Sequence, residues 1–102
     1  MARVFLAVVL GAALLAPVLA QSADPNLGRN LAAACANCHG TNGASLQGMP
    51  SLAGQQKSSI ARQMQDFRVG KRVATIMHQI ARGYTDEQID AIATYLSAQK
   101  AP

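Results

Sequence analysis

The stretch that decides the interpretation of this chain is Cys35-Ala36-Asn37-Cys38-His39, a C-x-x-C-H sequence. Two thiols at this spacing can each form a thioether with one vinyl group of the same haem, and the adjacent imidazole then reaches the iron on one face of the ring. We therefore predict one covalently bound haem c, attached through Cys35 and Cys38, with its iron coordinated by His39.

Three other uses of two cysteines at this spacing fit the chain less well. A thioredoxin-like redox pair lies in a βαβ setting, and the sequence shows no such setting. A structural zinc ion takes four ligands, whereas the chain has two cysteines and two histidines without the spacing of a zinc finger. A disulfide between Cys35 and Cys38 would close a very small loop and add little stability. Haem attachment is therefore the favoured interpretation.

The N-terminus is typical of a secretory signal peptide. It has a short basic opening that ends at Arg3, an apolar run over residues 4–15 and a break at Pro17 that is followed by small residues. We expect residues 1–20 to be a signal peptide that is cleaved after Ala20. A retained membrane anchor is the alternative, but the apolar run is shorter than the roughly 20 residues that cross a bilayer, and no charged stop-transfer segment follows it.

The mature region is expected to be one domain, residues 21–102, with cleavage after Ala23 as the alternative start. We expect it in the periplasm, without a membrane span, because bacterial haem c is attached outside the cytoplasm. About 80 residues often give a marginal hydrophobic core, and the aromatic residues of this region are Phe67, Tyr84 and Tyr95. The haem should therefore complete the core, and the haem-free chain should fold poorly.

The charge balance favours a protein partner over nucleic acid. The whole chain has a formal net charge of +4 at pH 7, and loss of Arg3 leaves eight basic against five acidic residues. The longest run of like charge is the pair Lys71-Arg72, which is too diffuse for nucleic-acid binding. Docking on an acidic redox partner is the expected use of the charge. The candidate docking residues, which could equally be ordinary solvated side chains, are Lys57, Arg62, Arg68, Lys71, Arg72 and Arg82.

The pattern of apolar residues predicts an all-α fold of about four helices and no sheet. Asp24 is expected to cap the first helix, and Gly70 and Gly83 to end the second and third. Thr85 and Gln88 form a capping-box pattern at the start of the last helix. The predicted helices cover residues 24–37, 56–69, 73–82 and 85–99, with a surface loop over residues 40–55. Their expected apolar faces, in chain order, are Leu27, Leu31 and Ala34; Ile60, Met64 and Phe67; Val73, Ile76, Met77, Ile80 and Ala81; and Ile89, Ile92, Ala93 and Leu96. Around the haem we expect the core residues Leu31, Ile60, Phe67, Ile80 and Leu96.

The second axial ligand of the iron decides between functions. A methionine sulfur there closes the site and raises the reduction potential, which suits electron transfer. An open position would favour a small haem peroxidase or a gas-binding haem protein. The candidates are Met49, Met64, Met77 and His78. The spacing favours Met77, because Met64 fits a core position, Met49 is close to the haem motif in sequence, and His78 is expected to be exposed.

The chain resembles the class I c-type cytochromes of the bacterial periplasm over residues 24–99. The matching pieces are Gly28, the C-x-x-C-H motif and the runs 48–55, 67–72, 75–81, 83–86 and 95–96. The resemblance implies the small class I cytochrome c fold, with helices packed around one haem.

The resemblance also implies roles for particular residues. Met77 matches the distal iron ligand of these cytochromes. The carbonyl of Pro50 matches the acceptor for the second N–H group of His39, a bond that orients the imidazole. Gly28 and Tyr95 match the close crossing of the first and last helices.

A narrower resemblance concerns residues 74–96, which are similar to the haem subunit of flavocytochrome c sulfide dehydrogenase. That subunit takes electrons from a flavoprotein that oxidises sulfide. The resemblance implies that this chain is an electron carrier rather than an enzyme, with a flavoprotein as a possible redox partner. The chain departs from the two-haem version because it has a single C-x-x-C-H sequence and no second domain.

Overall fold

The computed structural model describes Gly11 and residues 24–102, and this part is helical without strands. Its helices are α1 Leu27–Ala32, α2 Ala36–His39, α3 Lys57–Arg68, α4 Met77–Ala81 and α5 Asp86–Ser97. Short 3-10 turns cover Ala33–Cys35 and Thr41–Gly43. Because α1, the first 3-10 turn and α2 follow one another directly, the described chain has four helical runs, and the predicted all-α fold is confirmed.

Two sequence predictions concern segments at the N-terminal end. The signal peptide predicted over residues 1–20 lies outside the described residues except for Gly11, and so does the expected start of the mature domain. Among the described helices, none combines the length and the apolar character that a bilayer crossing needs.

The first helical run begins later than predicted. Asp24 does not cap a helix but makes a turn, in which its carboxylate accepts the N–H of Asn26 and its carbonyl accepts that of Leu27, both at 2.9 Å. The predicted apolar stripe is also wrong at two positions, because Leu27 and Ala34 are exposed. Ala32 is buried instead, so the small-residue side of α1 faces the core.

The helices α1 and α5 cross closely at Gly28. A Cβ atom at this position would lie 2.5 Å from the carbonyl oxygen of Ala91 and 3.0 Å from Cβ of Tyr95, so a larger residue would force the helices apart. The Tyr95 hydroxyl donates a hydrogen bond of 2.6 Å to Oδ1 of Asn42. This bond links α5 to the turn that follows His39.

Helix α3 begins and ends within one residue of its predicted bounds. Gly70 follows it with φ +78°, a conformation that glycine adopts without strain, and donates its N–H to the carbonyl of Phe67 at 3.2 Å. Ile60 and Met64 of the predicted apolar face are buried, and Phe67 is half-buried.

The third predicted helix is much shorter than expected. Helix α4 begins only at Met77, four residues later than predicted, and Ile76 before it has a non-helical φ of −137°. Val73 is 98% exposed, Ile76 51% and Ile80 38%, so the predicted apolar face is wrong at these three positions and right at the buried Ala81. Branched side chains such as those of Val73 and Ile76 lose rotamer freedom in a helix, which disfavours a helix start before Met77.

Helix α5 confirms the predicted capping box. The N–H of Gln88 donates to the Thr85 hydroxyl at 3.1 Å, and the Gln88 side-chain oxygen accepts the N–H of Thr85 at 2.9 Å. The predicted apolar face is fully buried, and its residues are Ile89, Ile92, Ala93 and Leu96.

The core lies where α1, α3 and α5 meet, and a smaller apolar cluster joins α3, α4 and α5. The buried residues of the first cluster are Ala32, Ile60, Ile92, Ala93 and Leu96, and those of the second are Met64, Ala81 and Ile89. Of the residues expected around a haem, Ile60 and Leu96 are buried, Leu31 and Phe67 are half-buried, and Ile80 is exposed.

Candidate haem-binding site

The C-x-x-C-H sequence lies at the end of the first helical run. Cys35 ends the 3-10 turn, and Cys38 and His39 belong to α2. Cys35 is half-buried, Cys38 is exposed, and the two sulfurs are free thiols. Burial raises the pKa of the Cys35 thiol, a backbone hydrogen bond partly offsets this, and the neighbouring Cys38 adds to the rise. Neither sulfur is held in a disulfide, so both are available for thioether bonds.

His39 has one satisfied and one unsatisfied ring nitrogen. Its Nδ1 lies 2.7 Å from the carbonyl oxygen of Pro50. Since a carbonyl can only accept, Nδ1 carries the proton of this bond, and in the neutral imidazole Nε2 then presents a lone pair. The residue is 7% exposed, and Nε2 is buried without a hydrogen-bond partner. A buried acceptor without a partner is unfavourable unless another group binds it, and a metal ion is such a group.

Glycines turn the chain back towards the imidazole. Gly40 adopts φ +84°, and a Cβ atom there would overlap the carbonyl oxygen of Ala44. Gly43 adopts φ +76°, and its carbonyl accepts the N–H of Leu52 at 2.8 Å. These two turns fold the loop after α2 onto itself. The carbonyl of Pro50 is thereby brought to Nδ1.

A largely apolar cleft joins the haem motif to the start of α4. Cys35 and Met77 both line it, and the rest of its apolar lining comes from Leu52, Ile60, Met64, Ile92 and Leu96. The structure thus brings Cys35 and Met77 to one cleft. His39 and Pro50 form a separate contact, and Cys38 belongs neither to that contact nor to the cleft lining.

The other predicted ligand candidates have different surroundings. Met64 is buried with Ala81 and Ile89, which is the core position expected for it. Met49 is 42% exposed and lies outside the cleft lining. His78 was expected to be exposed, and this prediction is wrong, because the packing of α4 on α3 leaves it half-buried with an unpartnered Nδ1.

Two polar residues of the cleft were not predicted from the sequence. Gln55 and Gln63 lie among its lining residues, and both are half-buried. Gln63 was recognisable, because it shares the spacing i, i+3, i+4 with Ile60 and Met64 and so interrupts an apolar helix face with an amide. Gln55 lies in the loop, where periodicity carries no information.

The predicted docking residues divide into paired and unpaired groups. Nζ of Lys57 lies 3.0 Å from Oδ1 of Asp90. Arg68 forms an ion pair with Asp86 and also donates to the carbonyl of Tyr84 at 3.2 Å. These two cations hold helices in place. The exposed remainder, without an ion pair in the described part of the chain, is Arg62, Lys71, Arg72 and Arg82.

Comparison with known proteins identifies the family. The family model for cytochrome c matches residues 25–100. The chain belongs to the cytochrome c family. As a cytochrome c it carries covalently bound haem c with its iron, and the buried, unpartnered Nε2 of His39 beside two free thiols fits that group.

Three relatives place this cytochrome more closely. It is 43% identical over 99 residues to a thiosulfate dehydrogenase electron acceptor of Stutzerimonas stutzeri, covering 89% of this chain and 46% of that protein. It is 43% identical over 68 residues to the cytochrome subunit of sulfide dehydrogenase of Chlorobaculum tepidum, covering 67% and 62%. A cytochrome c4 structure from Acidithiobacillus ferrooxidans matches with a TM-score of 0.61 and 43% identity, covering 64% and 38%. The chain therefore spans less than two thirds of the length of these relatives.

Proposed function

We propose that this cytochrome is a periplasmic single-haem electron carrier, in which Cys35 and Cys38 form the thioethers and His39 and Met77 are the axial ligands. The observation that carries the proposal is the imidazole of His39, which is buried, oriented by Pro50 and left with an unpartnered Nε2. The haem iron, when bound, accepts and releases one electron at a time.

The residues around the site would keep its geometry constant during that exchange. The bond from Nδ1 of His39 to Pro50 fixes the tautomer and the ring orientation, and it raises the basicity of Nε2. Met77 begins α4 and shares the cleft with Cys35, so its sulfur is the candidate for the opposite face. A thioether ligand favours the ferrous state and raises the reduction potential. With two fixed ligands, little rearrangement accompanies each electron transfer.

The alternative of a peroxidase or a gas-binding protein is less well supported. Peroxide cleavage needs an acid or base close to the open side of the iron. Among the described residues, the polar side chains of the cleft are the thiol of Cys35 and the amides of Gln55 and Gln63, none of which serves as an acid–base group at neutral pH. His78 has a buried nitrogen, but the cleft lining does not include it.

The relatives suggest where the electrons come from. Two of them are named as partners of dehydrogenases, one for thiosulfate and one for sulfide. We therefore propose a dehydrogenase of sulfur metabolism as the donor, with the flavoprotein of a sulfide dehydrogenase as the first candidate. The exposed cations without an ion pair, Lys71 and Arg72 among them, would meet an acidic surface of the donor. The rate constant of electron transfer from the donor to this cytochrome should therefore fall as the ionic strength rises through the range where the screening length is about 10 Å.

The last part of the proposal concerns export of the chain and the extent of its haem domain. We propose that residues 1–20 direct export and are removed, and that residues 21–102 form the haem domain. N-terminal sequencing of the protein recovered from the periplasm tests both points, with Gln21 as the expected first residue and an intact N-terminus as the contrary result.

The test of the axial ligands is spectroscopic. The full chain is produced with a haem-maturation system, and the ferric protein is examined for the weak long-wavelength band of sulfur-to-iron charge transfer. The band should be present, should disappear in Met77→Ala and should persist in Met49→Ala, because Met49 is exposed outside the cleft. Loss of the band in Met49→Ala, or its absence in the wild type, would contradict the assignment.

A further inference from the structure

Gln55 is a polar residue in an otherwise apolar cleft, and it makes one short hydrogen bond. Its Nε2 donates to the carbonyl oxygen of Ser51 at 2.5 Å, across four residues of the loop. Burying an amide costs free energy unless its polar atoms find partners. The short bond therefore accounts for the position of this side chain, and it also fixes the Ser51 carbonyl.

Ser51 is held at a second point as well. Its hydroxyl oxygen accepts the N–H of Ser45 at 2.9 Å, which ties it to the segment after the haem motif. The backbone nitrogen of Ser51 is bonded to the carbonyl carbon of Pro50. A residue fixed at its carbonyl and at its side chain leaves little freedom to the preceding peptide plane. The direction of the Pro50 carbonyl, and hence its 2.7 Å contact with His39, depends on this anchoring.

A residue of helix α3 forms a hydrogen bond with the amide of Gln55. Gln63 donates to the hydroxyl of Ser59 at 2.9 Å and to Oε1 of Gln55 at 3.4 Å. The second distance is long for a hydrogen bond, so this link is the weaker one. It nevertheless connects the loop that carries the Pro50 carbonyl to a helix that packs on α4, which begins at Met77.

We infer that Gln55 is a positioning residue for the axial histidine, which it holds through Ser51 and the Pro50 carbonyl. The inference rests on the proposed role of His39 as an iron ligand. If the anchoring is lost, the bond from Nδ1 to Pro50 weakens and the ring N–H exchanges faster with water. The imidazole also becomes a weaker electron donor, so the ferric state is less stabilised and the reduction potential rises.

The experiment uses the haem-loaded protein and the substitution Gln55→Leu, which keeps the side-chain size. The first readout is the solvent exchange rate of the His39 ring N–H, measured by nuclear magnetic resonance on the reduced protein. Loss of the hydrogen bond from Gln55 to the Ser51 carbonyl should raise this exchange rate about tenfold. The second readout is the reduction potential, which should rise.

A matched control is the same change at Gln65. This residue lies on α3 and donates to Oδ1 of Asp86 at 3.0 Å, so Gln65→Leu also breaks a bond between two elements but far from Pro50 along the chain. It should leave the ring N–H rate and the potential unchanged. Gln55→Glu is a second variant, because a carboxylate cannot donate to Ser51, and it should accelerate the exchange as Gln55→Leu does.

The outcomes separate the inference from the proposed function. A His39 ring that shows no haem ring-current shift in the wild type overturns both. A ligated His39 whose exchange rate is the same in the wild type and in both Gln55 variants overturns the role of Gln55 alone. An equal acceleration at the ring N–H and at the amide of Ile92 in the buried core would show general loosening and would also overturn it.

Discussion

The two sides of the proposed haem site are built differently. On the His39 side, the loop that carries the Pro50 carbonyl is held by glycines with positive φ, by hydrogen bonds that Ser45 and Gln55 donate to Ser51, and by one that the Gly43 carbonyl accepts from Leu52. On the Met77 side, the ligand candidate begins a helix of five residues after a non-helical, largely exposed segment. The chain therefore fixes the histidine by its own bonds, whereas the methionine side depends more on the group that it binds.

The largest expected effect comes from Gly40→Ala on the His39 side. The left-handed φ of +84° and the overlap of a Cβ atom with the Ala44 carbonyl should lower the free energy of unfolding by at least about 3 kcal/mol. Denaturant unfolding of the haem-loaded protein measures this loss. The control is Gly83→Ala next to α4, where a Cβ would lie 3.3 Å from the Ile80 carbonyl and the cost should be below about 1 kcal/mol. Equal losses of unfolding free energy in the two glycine variants would contradict the difference between the His39 side and the Met77 side.

The next largest effect is expected for Met77→Ala. The variant should keep its covalent haem, because the thioethers and His39 belong to the other side, while its unfolding free energy falls by about 2 kcal/mol. Denaturant unfolding measures the fall in unfolding free energy, and the haem content of the purified protein shows whether the covalent haem is kept. A variant that is recovered without haem would show that the methionine side is required for assembly.

A smaller effect is expected at the exposed segment before α4. Val73 is 98% exposed, so Val73→Ser should change the unfolding free energy by no more than about 0.5 kcal/mol. Ile92→Ala in the buried core, by contrast, should cost about 2 to 5 kcal/mol. A loss at Val73 comparable with that at Ile92 would mean that the segment is packed against something in the folded protein.

The smallest effect concerns pH and the contact between α3 and the start of α5. Hydrogen bonds from Gln65 and Arg68 hold the pKa of Asp86 below its ordinary value near 4. A lowered folded-state pKa contributes stability above the unfolded pKa, and this contribution is lost as the pH falls through the folded pKa. Unfolding measured from pH 6 down to pH 2 should therefore show a shallower decline for Asp86→Asn than for the wild type. Identical slopes would argue against the contact, and Glu87→Gln is the control at the neighbouring position.

The chemistry at the helix ends predicted the bounds of two helices, but it failed at Asp24, which makes a turn instead of capping a helix. The capping box of Thr85 and Gln88 and the glycine after α3 placed α5 and α3 to within about two residues. The prediction also failed where apolar residues were read as the start of a helix face without a capping residue before them. Val73 and Ile76 match a helical period, yet both lie outside α4, because periodicity does not register the rotamer freedom that branched residues lose in a helix.

The site was predictable where a motif fixes the chemistry. The C-x-x-C-H sequence pointed to His39, and the structure places its Nδ1 against Pro50. The hydrogen bonds of Gln55 and Ser51 were not predictable, because a hydrogen bond inside an irregular loop depends on three-dimensional folding and leaves no period in the sequence. The half-buried state of His78 was missed for a related reason, since it depends on how α4 packs on α3.

The central claim is that the iron of this cytochrome is closed on both faces by His39 and Met77, and carbon monoxide tests it most directly. The reduced, haem-loaded protein at neutral pH is exposed to the gas and its absorption spectrum is followed. The account predicts no change for the wild type and rapid binding for Met77→Ala. Immediate binding by the wild type would contradict it and would favour a ligand-binding haem protein over an electron carrier.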